Sequence, residues 1–142
     1  MRIVPLALLV GAVCLAGCSD DDNNFIVVPS VTGTFTLQTA NGRPLPAIVV
    51  DSVSPPLRIE VLAGHITLRA DGTFEDEVDF RQSLGGVVTN TQVVCPGTFT
   101  VSGNTISFTE TGTGLCVDRF TGTASGNTLT TSIRGVALVF VH

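Results

Sequence analysis

The stretch from Phe99 to Phe108, FTVSGNTISF, constrains the fold of this chain more than any other. Two runs alternate apolar and polar side chains about Gly103-Asn104, and a Gly-Asn pair between alternating runs marks a two-residue hairpin turn. Folding the chain there sets Phe99 opposite Phe108 and Val101 opposite Ile106. Side-chain direction alternates along a strand, so the threonines and Ser107 point the other way.

The rest of the sequence repeats this device. Gly33 to Thr39 alternates, with Phe35 and Leu37 on one face. Asn41 to Pro56, punctuated by Pro44, Pro46, Pro55 and Pro56, is expected to be irregular, with a short strand at Ala47 to Val50. From Leu57 onward the spacing predicts successive hairpins. A turn at Ala63-Gly64 would set Val61 opposite Ile66 and Ile59 opposite Leu68. Ala70-Asp71-Gly72 suits a three-residue turn with glycine in the left-handed position, pairing Leu68 with Phe74. Val78 and Phe80 continue that face. Leu84-Gly85-Gly86 reverses the chain into Val87 to Val94, whose facing the pattern leaves open. Gly126-Asn127 pairs Ala124 with Leu129 and Phe120 with Ile133. Arg134-Gly135 pairs Ile133 with Val136, Thr131 with Leu138 and Leu129 with Phe140. A one-residue slip would turn each apolar set outward, and the expected loop lengths keep all of them on one face.

No helical period follows the leader. The expectation is an all-β fold: an antiparallel up-and-down meander of about eight to ten short strands closing into a barrel. Closure would pair the Gly33 strand with the Val136 to Val141 strand and remove both edges. A length of 142 residues allows one domain. Charged residues are only 13%, and the net charge of −5 comes with scattered arginines and no lysine, which lacks the basic stripe that nucleic acid requires.

The leader is a separate matter. Met1-Arg2 is a short positive start, and Ile3 to Ala16 is almost wholly apolar, too short for a comfortable membrane span and shaped like a secretory signal. It runs into Leu15-Ala16-Gly17-Cys18, which resembles the bacterial lipoprotein signal; the alternative is a plain secretory signal with an incidental cysteine. The resemblance implies removal of residues 1–17 and acylation of Cys18, with palmitate among the chains. Two or more acyl chains hold a protein on a bilayer essentially permanently. Ser19 follows the cysteine, where retention in the inner membrane typically shows Asp. The implied address is therefore the outer membrane of a Gram-negative cell envelope, facing the periplasm. Residues 18–31, with Asp20-Asp21-Asp22-Asn23-Asn24, would be a solvated tether, and 32–142 the folded domain. Phe25 to Val28 is apolar and could lie against the barrel or add an edge strand.

A Gly-x-aromatic first strand (Gly33-Thr34-Phe35), a long first loop, a meander of hairpins and a final strand ending the chain resemble the lipocalin-like barrels. With NGRPLP at Asn41 to Pro46 and ADGTF at Ala70 to Phe74, the domain looks more narrowly like small bacterial lipoproteins carrying such a barrel.

With Cys18 acylated and Cys14 discarded, Cys95 and Cys116 are left, and in an oxidising envelope such a pair bridges. The Gly103-Asn104 register puts Cys95 across from Gly112, so Cys116 must fold back over the strand end. A metal site is not expected, because neither cysteine has nearby histidine partners. Glu75, Glu77 and Asp79 alternate outward as a solvated face. Asp76 falls inward between Phe74 and Val78: it sits at a rim, is turned out by a bulge, or anchors a ligand from inside, since a lone buried carboxylate is expensive. The inward aromatics Phe35, Phe74, Phe80, Phe99, Phe108 and Phe120, with Asp76, are the candidate ligand-binding set; they either fill the barrel or line an apolar cavity. Val139 and Val141 make the last strand apolar on both faces, which suggests a cover from Phe25 to Val28 or from a protein partner.

His65 and His142 have no nucleophile and carboxylate at motif spacing, so no catalytic residues, enzyme activity or cofactor are expected. The expected function is an outer-membrane lipoprotein binding a small apolar ligand. The alternative is a structural or interaction module, including an inhibitor of another protein, with a filled core.

Overall fold

Alternating side chains and tight glycine turns produce ten strands in the computed structural model, which describes residues 31–142. They are β1 (Gly33–Ala40), β2 (Arg43–Pro44), β3 (Ala47–Val53), β4 (Pro56–Leu68), β5 (Thr73–Leu84), β6 (Val87–Ser102), β7 (Thr105–Glu110), β8 (Arg119–Ser125), β9 (Thr128–Ile133) and β10 (Val136–Val141). All pair antiparallel in the order β2-β1-β10-β9-β8-β7-β6-β5-β4-β3, and an additional β1–β4 pairing closes eight of them, β1 and β4 to β10, into a barrel. The leader, Cys14, Cys18, the acidic tether and the Phe25 to Val28 run lie outside the described residues.

Most turns fall where the sequence places them. Phe99 pairs with Phe108 and Val101 with Ile106; Leu68 pairs with Phe74; Ala124 pairs with Leu129; Leu129 pairs with Phe140. The turns are built on left-handed residues, among them Gly85 and Gly86, Gly103, and Arg134 with Gly135. Glycine meets that requirement without a Cβ clash. The expected pairing of Phe120 with Ile133 is not formed, because the β8–β9 ladder ends at Gly122 and Thr131.

The hairpin expected at Ala63-Gly64 does not exist. Gly64 lacks the positive φ of the turn glycines, and β4 runs through it unbroken. The N-terminal half of β4 pairs with β3, from Val53 opposite Pro56 to Ala47 opposite Val61. Its C-terminal half pairs with β1, from Thr36 opposite His65 to Gly33 opposite Leu68. The register of β4 against β5 shifts between Val61 and Ala63, and such a bulge bends a strand. A Cβ at Gly64 would stand 2.9 Å from the Glu77 carbonyl oxygen and 3.3 Å from Leu37. This glycine therefore marks the corner at which the sheet curls back on itself, not a reversal.

Asn41 to Pro56 is also more regular than expected. β3 is a seven-residue strand on the flank of β4. It contains no proline; Pro44 stands in the short edge strand β2, Pro46 and Pro55 flank β3, and Pro56 is the first residue of β4, where a missing N–H breaks no central ladder.

The two ends of the barrel differ. At one, the turns at 70–72, 103–104 and 126–127 meet both termini of the domain: the amide of Phe99 donates to Gly72 O at 2.8 Å and that of His142 to Asn127 O at 2.8 Å. This end is filled. Phe74 and Phe108 meet edge-on at 5.1 Å, and Phe108 stacks on Phe120 at 4.7 Å. Gly97, opposite Phe74 on β6, leaves room for that ring: a Cβ there would overlap it and lie 2.5 Å from the Thr109 carbonyl oxygen. Ile66, Ile106, Leu129 and Phe140 are inaccessible to solvent. At the other end stand the turns at 54–55, 85–86 and 134–135 and the loop 111–118.

Candidate functional site

Toward that second end the inward side chains become smaller on two strands: on β6 the series is Phe99, Gly97, Cys95, Val93, Thr91, and on β10 it is Phe140, Leu138, Val136. On β5 it runs Phe74, Asp76, Val78, Phe80, Gln82, so one ring stands among the cavity residues. Aromatic rings fill one half of the barrel, and valines are too small to meet across the other. The result is a cavity of about 360 Å³, within the size range of small-molecule sites. Its walls include Val49 and Val50 of β3, Ile59 and Val61 of β4, Val78 and Phe80 of β5, Val93 of β6, and Val136 and Leu138 of β10. Leu115 and Arg134 stand among the lining residues at the open end. Apolar side chains continue outside on the hairpin tips, where Val53, Leu84, Val87 and Val88 are exposed.

Asp76 faces into this space and is 5% exposed. No bulge turns it out: it keeps the β5 alternation, opposite Ile66 on one side and Cys95 on the other. Its Oδ1 is buried and has no hydrogen-bond partner. Burial, reinforced by the neighbouring Glu110 carboxylate and partly opposed by the Arg134 guanidinium, pushes its pKa up to about 7.

Glu110 escaped the sequence reading, although it continues the inward parity of Ile106 and Phe108 on β7. Its side chain is 2% exposed. Its carboxylate accepts the backbone N–H of Asp118 at 2.7 Å and lies 3.8 Å from Arg134 Nη2. Arg134 Nε in turn lies 3.9 Å from the Asp118 carboxylate. The cavity thus has greasy walls and an acidic recess.

Cys95 and Cys116 form a disulfide, with Cα atoms 5.0 Å apart. The close approach uses Gly112, where a Cβ would stand 2.6 Å from Cys116 Cβ. The bridge fastens the 111–118 loop, which carries Leu115 and Asp118, to the cavity wall.

Of the candidate ligand-binding residues, Asp76 and Phe80 line the cavity. Phe74, Phe108 and Phe120 are packed into the aromatic cluster of the filled half, with Phe99 beside Phe108 at 6.3 Å. Phe35 lies at the filled end against His142, ring centroids 5.1 Å apart, beside a smaller hollow of about 190 Å³. Phe74, Phe99, Phe108 and Phe120 are thus packed in or against the core, and Phe35 lines the smaller hollow. The outward acids are where alternation puts them: Glu75 is 3.6 Å from Arg69, and Glu77 is 3.7 Å from His65. Val139 and Val141 on the outer face of β10 are half-buried. Among the described residues no cluster of three or more His, Cys, Asp or Glu could hold a metal ion.

Comparison of the chain with protein-family models, with curated proteins and with solved structures gave no match.

Proposed function

We propose that this chain is a lipid-anchored protein of a bacterial outer membrane, facing the periplasm, whose barrel holds a small, mostly apolar molecule without transforming it. The observation that carries the binding function is the half-hollow barrel: about 360 Å³ of mainly valine-lined space beside a fully packed aromatic half. A barrel with no cargo would gain dispersion contacts by filling that space. The anchor rests on Leu15-Ala16-Gly17-Cys18 and Ser19. Val31 stands at the filled end, so a tether from Cys18, spanning at most ~45 Å when extended, would join the barrel at the end opposite the cavity mouth.

Two measurements test the proposal. Native mass spectrometry of the purified chain is expected to show a retained small molecule, absent from a Val78→Phe variant of unchanged circular dichroism. An empty natural chain that also binds no apolar probe would overturn the binding function. In cells fed labelled palmitate, the chain is expected to carry label and Cys18→Ala to lose it; an unlabelled natural chain would overturn the anchor.

A further inference from the structure

Resting on that binding function, we infer that the cargo carries a protonated amine on an apolar body, with the amine seated against Asp76. The inference starts from the one buried side-chain acceptor left unanswered among the described residues. Asp76 Oδ1 is out of contact with solvent and has no hydrogen-bond partner, yet it belongs to a side chain aimed into the cavity. Leaving a buried acceptor unpaired is destabilising, more so for a charged one. The strands flanking Asp76 offer no relief: its ladder neighbours are Ile66 of β4 and Cys95 of β6, the latter held in the disulfide.

The charged groups around it choose the sign of the ligand. Glu110 of β7 adds a second buried carboxylate, and the partly exposed Asp118 lies behind Arg134 outside the cavity lining. Against these stands one guanidinium, Arg134, already drawn toward Glu110 and Asp118 at 3.8 and 3.9 Å. A carboxylate ligand would enter this field against repulsion. An alcohol would satisfy Oδ1 with a single neutral hydrogen bond. An ammonium brings three donors and a positive charge, and charge-assisted hydrogen bonds are roughly twice as strong as neutral ones. The apolar body would lie along Val61, Val78, Phe80 and Val136. At ~30 Å³ per water-sized group the space holds on the order of a dozen such groups, enough for a medium-length chain or a single ring.

The test titrates the full chain with hexylamine, hexanol and hexanoate, three probes of one size, and follows backbone amide shifts by NMR. At about pH 8 hexylamine is expected to bind at least ~10-fold more tightly than hexanoate and more tightly than hexanol. Asp76→Asn is expected to bring hexylamine down to the hexanol level. Arg134→Asn, which suits the left-handed backbone there, removes the competing cation and is expected to strengthen amine binding. Moving from about pH 8 to about pH 5.5 protonates Asp76 and is expected to weaken hexylamine ~10-fold or more in the natural chain but not in Asp76→Asn. Equal affinities for the three probes, or an amine preference that survives Asp76→Asn, would overturn the amine while leaving an apolar-binding barrel intact. Failure of all three to bind would remove the binding function as well.

Discussion

At about pH 8 the Asp76→Asn chain is expected to be more stable than the natural one, and the advantage should fade as the pH is lowered. The argument is one of linkage. The folded-state pKa of Asp76 is raised from 3.8 to about 7, so between those values the native state holds a proton that the unfolded chain has released. Stability tied to this group is therefore fully present below about pH 4, falls as the pH rises through that window, and levels off above the folded pKa. At 1.36 kcal/mol per unit the whole span amounts to roughly 4 kcal/mol, a substantial part of the 5–15 kcal/mol typical of a domain. Asparagine cannot ionise but still buries a polar group, so about half of that span, ~2 kcal/mol, is the expected gain, worth roughly 6–10 °C in melting temperature.

The difference between the two chains is the quantity to follow, by calorimetry at about pH 4, 6 and 8. Other acids move the opposite way. Glu60, whose pKa is held down by Arg81 and Arg58, and Asp71, held down by Thr73, favour the native state above their unfolded values and lose that contribution in acid. Both are shared by the two chains, so their effect cancels in the comparison. Parallel pH profiles would show that Asp76 carries its charge in the folded barrel without penalty. A destabilised asparagine variant would show that the carboxylate is structurally satisfied, and the case for a ligand at Oδ1 would fall with it.

How much of this was legible beforehand follows from where local rules suffice. The hairpins at 85–86, 103–104, 126–127 and 134–135 could be read because turn chemistry and alternation are local and agree with each other. Ala63-Gly64 misled because glycine beside a small residue signals both a turn and a close approach. Which of the two applies depends on Leu37 and Glu77, residues distant in sequence. The same limit hid the cavity. Inward aromatics were identified correctly, but whether Phe74, Phe99, Phe108 and Phe120 line a space or fill it depends on how far each stands along the barrel axis. That height is set by the strand registers together. A partial signal was present: on β6 and β10 the aromatics give way to cysteine, valine and threonine toward one end, although Phe80 on β5 returns a ring to the cavity wall. Extending the Ile106, Phe108 alternation by one step would also have placed Glu110 inside.

Reducing the Cys95–Cys116 bridge, or replacing both residues by alanine, is expected to destabilise the chain and to loosen the cavity mouth. The bridge spans 21 residues of sequence, and the chain-entropy account assigns a loop of that length about 3 kcal/mol, through restriction of the unfolded chain. That is worth roughly 10–15 °C in melting temperature for a domain of this size. The functional consequence is separate from the thermodynamic one. The 111–118 segment is joined to the barrel by the bridge, by the amide of Thr111 on Pro96 O at 2.9 Å, and by the paired contacts of Glu110 with Asp118. Without the bridge, Leu115 loses its fixed place over the cavity and Asp118 its hold on the recess. Native-state hydrogen exchange should then accelerate selectively at 111–118, while the amides around Phe74, Phe108 and Phe140 stay protected. Retained or added ligand should dissociate faster, even where the barrel remains folded. If exchange rises uniformly and ligand release is unchanged, the bridge acts only on the unfolded chain, and the loop is not part of the binding site.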